Sequence, residues 1–70
     1  MRIVDHMSPF SVEEGDTIFL EIGELEVVSV DSTDEGYNII VTDMYLEELT
    51  MFIKNDEQVP VVVGYDEMEI

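Results

Sequence analysis

The only imidazole in the chain is His6, which stands beside Asp5 and shortly before Ser8 and Ser11. Nucleophilic catalysis needs a nucleophile, a base and a group that orients the base, and these residue types are present. Their setting argues against it, because the serines flank Pro9 in MSPFS and no nucleophile elbow or strand context surrounds them. Paired carboxylates could act on glycosides, but 18 Asp and Glu in 70 residues make close pairs inevitable, and so short a chain offers little pocket. The run Asp31-Ser32-Thr33-Asp34-Glu35-Gly36 opens like a calcium loop, with acids at positions one and five and Gly at six. Position three is Thr33 and position twelve is Thr42, where an EF-hand needs a bidentate Glu, so a hairpin turn is the expected reading. With no cysteine, neither a disulfide nor a cysteine-bound zinc can form. The expectation is a protein that is not an enzyme and holds no metal or cofactor.

The carboxylates carry the remaining chemistry. Only Arg2 and Lys54 oppose them, leaving a net charge of −16. Glu24 and Glu26, and again Glu67 and Glu69, are two apart, so on a strand each pair projects from one face about 6.6 Å apart, close to the spacing of neighbouring phosphates. Such a surface can imitate nucleic acid and enter the basic groove of a protein that binds it, with charge steering raising the association rate. The competing account is a solvated face that confers only solubility. Salt adaptation is a further one, but the chain has no Ala, five Met and more Glu than Asp, unlike a typical halophile protein. Phe10, Phe19, Met44, Tyr45 and Phe52 include residues out of phase with the inward sets, so some should be exposed beside the acids as apolar anchors.

The elements that must position these residues are β-strands. Ten Val and seven Ile favour a pleated, half-buried backbone and exclude the low-hydrophobicity composition of a disordered chain. Gly15-Asp16 ends an entry turn, and Thr17 to Ile22 alternates with Ile18, Leu20 and Ile22 on one face. Gly23-Glu24 is expected as a tight hairpin turn. In Leu25 to Asp31 the apolar phase switches from Leu25 and Val27 to Val28 and Val30, which predicts a bulge or bend near Val27-Val28. Ser32 to Gly36 turns the chain into Tyr37 to Asp43, and Met44 to Glu48 connects to Leu49 to Lys54. Asn55 to Gln58 turns again into Val59 to Val63, where Pro60 is confined to an edge, a strand start or a bulge. Residues 1–11 are expected as an extended arm and 65–70 as an edge strand, the tail pairing with Arg2 to Val4. This predicts one all-β domain over 1–70, a small five- or six-stranded antiparallel barrel, since closure removes exposed edges.

The run VEEGDTIFLEIGELEVVSVDSTDEGYNIIVTDMYLEELTMFIKNDEQVPVV resembles the small SH3-like barrels of bacterial and bacteriophage proteins. The likeness rests on a VxxGD entry at Val12, Gly15 and Asp16, short meander strands, a DEG turn and a final edge strand. It covers about three quarters of the chain and implies a barrel that binds RNA, DNA, peptides or other subunits. The nucleic-acid-binding members carry Lys and Arg in their loops, where this chain carries acids, and counterion release requires those cations. No direct nucleic-acid contact is therefore expected.

The expected partner is a protein with a basic surface, such as a nuclease, a defence complex or a polymerase, and the chain would act as its inhibitor or regulator, phage-encoded in one version. The alternative is a structural subunit of a larger assembly such as a virion or enzyme complex. The expected partner-binding residues are Glu21, Glu24, Glu26, Asp34, Glu35, Tyr45, Glu47, Glu48, Glu67 and Glu69. No apolar run approaches the 18 residues of a membrane span, and MRIVDHMSPF has no hydrophobic stretch of a signal peptide, so a cytoplasmic protein without membrane contact is expected.

Overall fold

Alternating Val, Ile and Leu bury one face of the inner strands, and the strands join because only neighbours can satisfy their backbone donors and acceptors. The computed structural model describes residues 1–66. Its strands are β1 (Arg2–Met7), β2 (Thr17–Leu20), β3 (Gly23–Ser32), β4 (Gly36–Thr42), β5 (Glu48–Lys54) and β6 (Val59–Tyr65), with a 3-10 turn at Pro9–Ser11 between the first two. All pairings are antiparallel, in one six-stranded sheet of order β1-β6-β2-β3-β4-β5. Among the described residues there is no α-helix.

The sheet must curl. β5 and β6 are separated by β4, β3 and β2, which in a flat sheet is about 19 Å of lateral distance. From the shared row Val62-Thr17-Glu26-Thr42-Glu48, Lys54 lies toward the β3–β4 turn and Val59 toward the β2–β3 turn, which adds a longitudinal gap. The link from Lys54 to Val59 reaches at most about 18 Å. Only a strongly bent sheet brings the two ends within reach. Part of the bend is at the bulge in β3, where Val27 pairs with Val41 and Ser29 with Ile40, leaving Val28 extra and exposed. This is the predicted site, and the inserted residue returns Val30 to the core side opposite Ile39. A second bulge leaves Val63 extra in β6, between Ile3 and Val4 of β1.

The concave side holds the core of Val12, Ile18, Leu25, Val27, Ile39, Val41, Val59 and Val61, with Met7, Leu20, Val30, Tyr37, Met51 and Ile53 packed against it. Gly36 lies so close to the Ile53 carbonyl oxygen that no side chain fits between β4 and β5 there. The VEEGD entry is a β-turn closed by the Asp16 N–H donating to the Glu13 carbonyl at 3.1 Å, with Gly15 at φ +93° where a type II turn needs positive φ. The Asp16 carboxylate accepts from the Glu13 N–H at 2.9 Å, and the Asp16 and Val27 backbones tie the turn to β3.

Three expectations change. The hairpin turn is Glu21-Ile22, two residues earlier than Gly23-Glu24, and Leu20 pairs with Gly23. Gly23, at φ +122°, absorbs the strand twist just after the turn, and Ile22 is exposed at its tip instead of continuing the buried face. Residues 1–11 are no arm: Arg2–Met7 pairs along its length with β6, and Pro9 is buried in the turn that follows. Ser8 caps that turn by accepting from the Phe10 N–H. Of the tail expected as an edge strand over 65–70, residues 67–70 lie outside the described residues; Tyr65 stands opposite Arg2 as the last residue of β6, which is an inner strand, and among the described residues the edges are β1 and β5. Pro60 is tolerated inside the sheet because it is the second residue of β6, just beyond the last rung with β2 at Ile18 and Val61.

Candidate protein-docking surface

On the convex side, the residues between the inward-facing ones form rows across the strands. One row runs Val62, Thr17, Glu26, Thr42, Glu48, so Glu26 and Glu48 flank Thr42 with their backbones about 10 Å apart. Thr17, Glu26, Thr42, Glu24, Asp43, Met44 and Leu46 line a shallow groove of about 250 Å³ on this face. Among the described residues no carboxylate is buried.

Glu24 is committed within the molecule. The Arg2 Nε donates to its Oε2 at 2.7 Å, and the Tyr65 hydroxyl donates to the same carboxylate at 3.0 Å. The Arg2 guanidinium also lies 4.2 Å from the centroid of the Phe19 ring, which stands opposite Glu24 on β2. The hydrogen bond from Arg2, and then that from Tyr65, hold the Glu24 carboxyl below its ordinary range. The Tyr65 hydroxyl is raised, chiefly because its proton is shared with that carboxylate. The phosphate-like pair expected of Glu24 and Glu26 is therefore only half free. The fold substitutes the row joining Glu26 to Glu48, whose members are 22 apart in sequence and invisible to spacing arguments.

The loop between β4 and β5 carries a second expected group, with Met44, a candidate apolar anchor from the sequence, and Leu46, which no sequence pattern singled out. Asp43 Oδ1 accepts from the Tyr45 N–H at 2.8 Å and the Glu47 N–H at 3.0 Å, while the Leu46 N–H donates to the Asp43 carbonyl at 3.0 Å. One side chain thus organises the loop and leaves Met44, Tyr45 and Leu46 at 82%, 76% and 82% exposure. Leu46 adopts φ +65°, a left-handed conformation that costs a non-glycine residue about 1 kcal/mol. The signal that could have identified Leu46 is Asp43 itself, an Asx-turn former just ahead of three large apolar residues.

Asp34 and Glu35 lie at the far end, in the β3–β4 turn held by Thr33 Oγ1, which accepts from the Gly36 N–H at 3.1 Å. Their carbonyls accept from the Asn55 side chain and N–H, locking this turn to the one after β5. Glu21 is at the tip of the β2–β3 turn, beside an apolar groove of about 600 Å³ lined by Val4, His6, Phe19, Leu20 and Pro60. Glu67 and Glu69 lie outside the described residues. The structure thus gathers Glu26, Glu48, Tyr45 and Glu47 near one end of the convex face, ties Glu24 internally, and sets Asp34 and Glu35 apart. Phe10 is exposed as well, Phe52 is half-exposed on β5, and Phe19 is covered by Arg2. Among the described residues no helix is long and apolar enough to cross a membrane. Comparison with protein-family models, curated proteins and solved structures returns no match.

Proposed function

We propose that the protein is a non-enzymatic, cytoplasmic protein-binding module that docks an acidic face onto the basic, nucleic-acid-binding surface of a partner and inhibits or regulates it. The observation that carries the reading is the charge: −16 overall, with one ion pair among the described residues and no described carboxylate buried. A field of this strength attracts basic surfaces and repels nucleic acid and copies of itself. Glu26, Glu48 and Glu47 form the acidic part of the contact, and Met44, Tyr45 and Leu46 supply apolar anchors beside it. We further propose an SH3-like barrel, supported by the β2–β5 meander with β6 returning beside β2.

Affinity capture from a lysate at low salt, followed by a salt gradient and mass spectrometry, tests the function. Nucleic-acid-binding proteins should elute as salt rises, and a Glu26→Gln, Glu48→Gln variant should retain fewer of them. Recovery of none refutes the reading. The exposed Met44-Tyr45-Leu46 tip favours a second one, a structural subunit of a larger assembly seated by apolar burial. Its binding would survive high salt, whereas the acidic contact would not.

A further inference from the structure

Natural sheets blunt their edges with bulges, prolines or inward charges, because an open edge pairs with any strand that reaches it. β1 is treated this way, with a bulge in its partner strand opposite Ile3 and Val4, and with Asp5 and His6 in its length. β5 is not. Its register with β4 is unbroken over seven pairs, it contains no Pro, and among the described residues β4 is its only neighbour.

The hydrogen-bond phase of β5 follows from its two ends. The Asn55 N–H donates to the Glu35 carbonyl, and the Asp43 N–H donates to the Glu47 carbonyl. In an antiparallel ladder these bonds flank the pairs Gly36–Lys54 and Thr42–Glu48, which are therefore of the non-bonded type. Alternation then directs the N–H and C=O of Leu49, Met51 and Ile53 to β4, and those of Glu48, Thr50, Phe52 and Lys54 outward. Lys54 is satisfied locally, since its N–H donates to Glu57 Oε1 and its carbonyl accepts from the Glu57 N–H. The open rungs are Glu48, Thr50 and Phe52.

The side chains at this edge set the chemistry of what fits. On the core side Leu49 is exposed and Met51 and Ile53 are half-buried, because no strand covers them. On the convex side Glu48 and a half-exposed Phe52 line the edge, with Glu47, Asp56 and Glu57 exposed beyond its ends. An added strand places alternate residues on these two sides. One set would cover Leu49, Met51 and Ile53, and the other would meet the Glu48 carboxylate and the Phe52 ring, both of which favour a cation. A second copy could pair Glu48 with Lys54 across a twofold axis, but it would bring one −16 surface against another. Resting on the acidic-docking reading, we propose that the outer edge of β5 accepts an extended partner segment in which basic and apolar residues alternate, completing the sheet by strand addition.

The probe is an acetylated, amidated peptide of alternating Lys and Val, about eight residues long to match the strand, beside the same peptide with every amide nitrogen methylated. At low salt the unmethylated peptide should bind, and amide exchange at Thr50 and Phe52 should slow by about tenfold or more. The methylated peptide should not bind. The Thr50→Pro variant, which loses no bond to β4, should keep its fold and lose the peptide. Equal binding of both peptides with Thr50 and Phe52 unprotected would overturn strand addition and leave acidic docking standing. Failure of both peptides would overturn strand addition, while the acidic-docking reading falls only if the lysate capture also recovers no nucleic-acid-binding protein. Protection of these amides without peptide, with a doubled mass in solution, would assign the edge to a second copy and overturn the proposal.

Discussion

Gly36→Ala should be the most damaging single-methyl change in the molecule. A Cβ at this position would overlap the Ile53 carbonyl oxygen and stand 2.9 Å from the Lys54 Cα and 3.0 Å from the Ile53 carbonyl carbon. All three atoms are backbone of β5, so no rotamer change relieves the overlap and the strand itself must move away. Overpacking of this kind costs about 1–3 kcal/mol. The shift also loosens the Asn55 to Glu35 bond and the Thr33 to Gly36 bond, at about 1 kcal/mol each. Against this, replacing glycine recovers about 0.5–1 kcal/mol of chain entropy. The net is a loss of about 3 kcal/mol, a large share of the roughly 4–10 kcal/mol total expected of a 70-residue chain. With a urea slope of about 1 kcal/mol/M, the denaturation midpoint should fall by about 2–3 M, read by circular dichroism. Gly64→Ala is the internal control: nothing lies within 4 Å of its Cβ and its φ is not positive, so its midpoint should move by about 0.5 M or less. Equal midpoints for the two variants would refute the close approach of β4 and β5.

The Glu24 cluster makes stability depend on pH at both extremes. The lowered Glu24 carboxyl contributes stability above its ordinary value of 4.5, lost as pH falls through its lower folded value. The raised Tyr65 hydroxyl contributes below its ordinary value of 10.0, lost as pH rises through its higher folded value. Glu24→Gln should flatten both limbs of a melting-temperature profile, and an unchanged profile would exclude the cluster as their source. Added salt should raise the melting temperature by about 5 °C between 10 mM and 0.5 M, equivalent to roughly 1 kcal/mol of relieved repulsion; a flat response would show that the carboxylates are not crowded. Leu46→Gly should stabilise the fold by about 1 kcal/mol in urea melts by releasing the positive φ, while weakening partner capture through loss of an apolar anchor.

Period and turn chemistry made β2 to β6 legible because apolar residues alternate along each, and the phase switch at Val27-Val28 located the bulge. β1 escaped because its edge position leaves Ile3 exposed and Asp5 and His6 in the strand, so RIVDHM lacks the alternation that buried strands display. The turn was misplaced because Gly23 was read as part of the reversal, whereas it follows it with positive φ. For the candidate surface, adjacency in sequence located the Tyr45 to Glu48 group. It misjudged Glu24, whose partners Arg2 and Tyr65 are 22 and 41 residues away and arrive only through the pairing of β1 with β6.

β6 occupies the interior of the sheet, between β1 and β2, yet among the described residues it is the last strand in sequence order. During synthesis Arg2–Met7 emerges well before Val59–Tyr65 and has no strand partner in the sheet until that segment follows it. The β2–β5 meander can zip from local turns, but Val59 and Val61, two of the eight buried core residues, lie on β6 and are still inside the ribosome. Completion is therefore a single late closure in which β6 docks on β2, β1 docks on β6, and Arg2 and Tyr65 reach Glu24 together. A nascent chain halted before Val59 carries two unclosed sheet sides and an uncovered core, so chaperone binding and proteolysis should be concentrated in that interval.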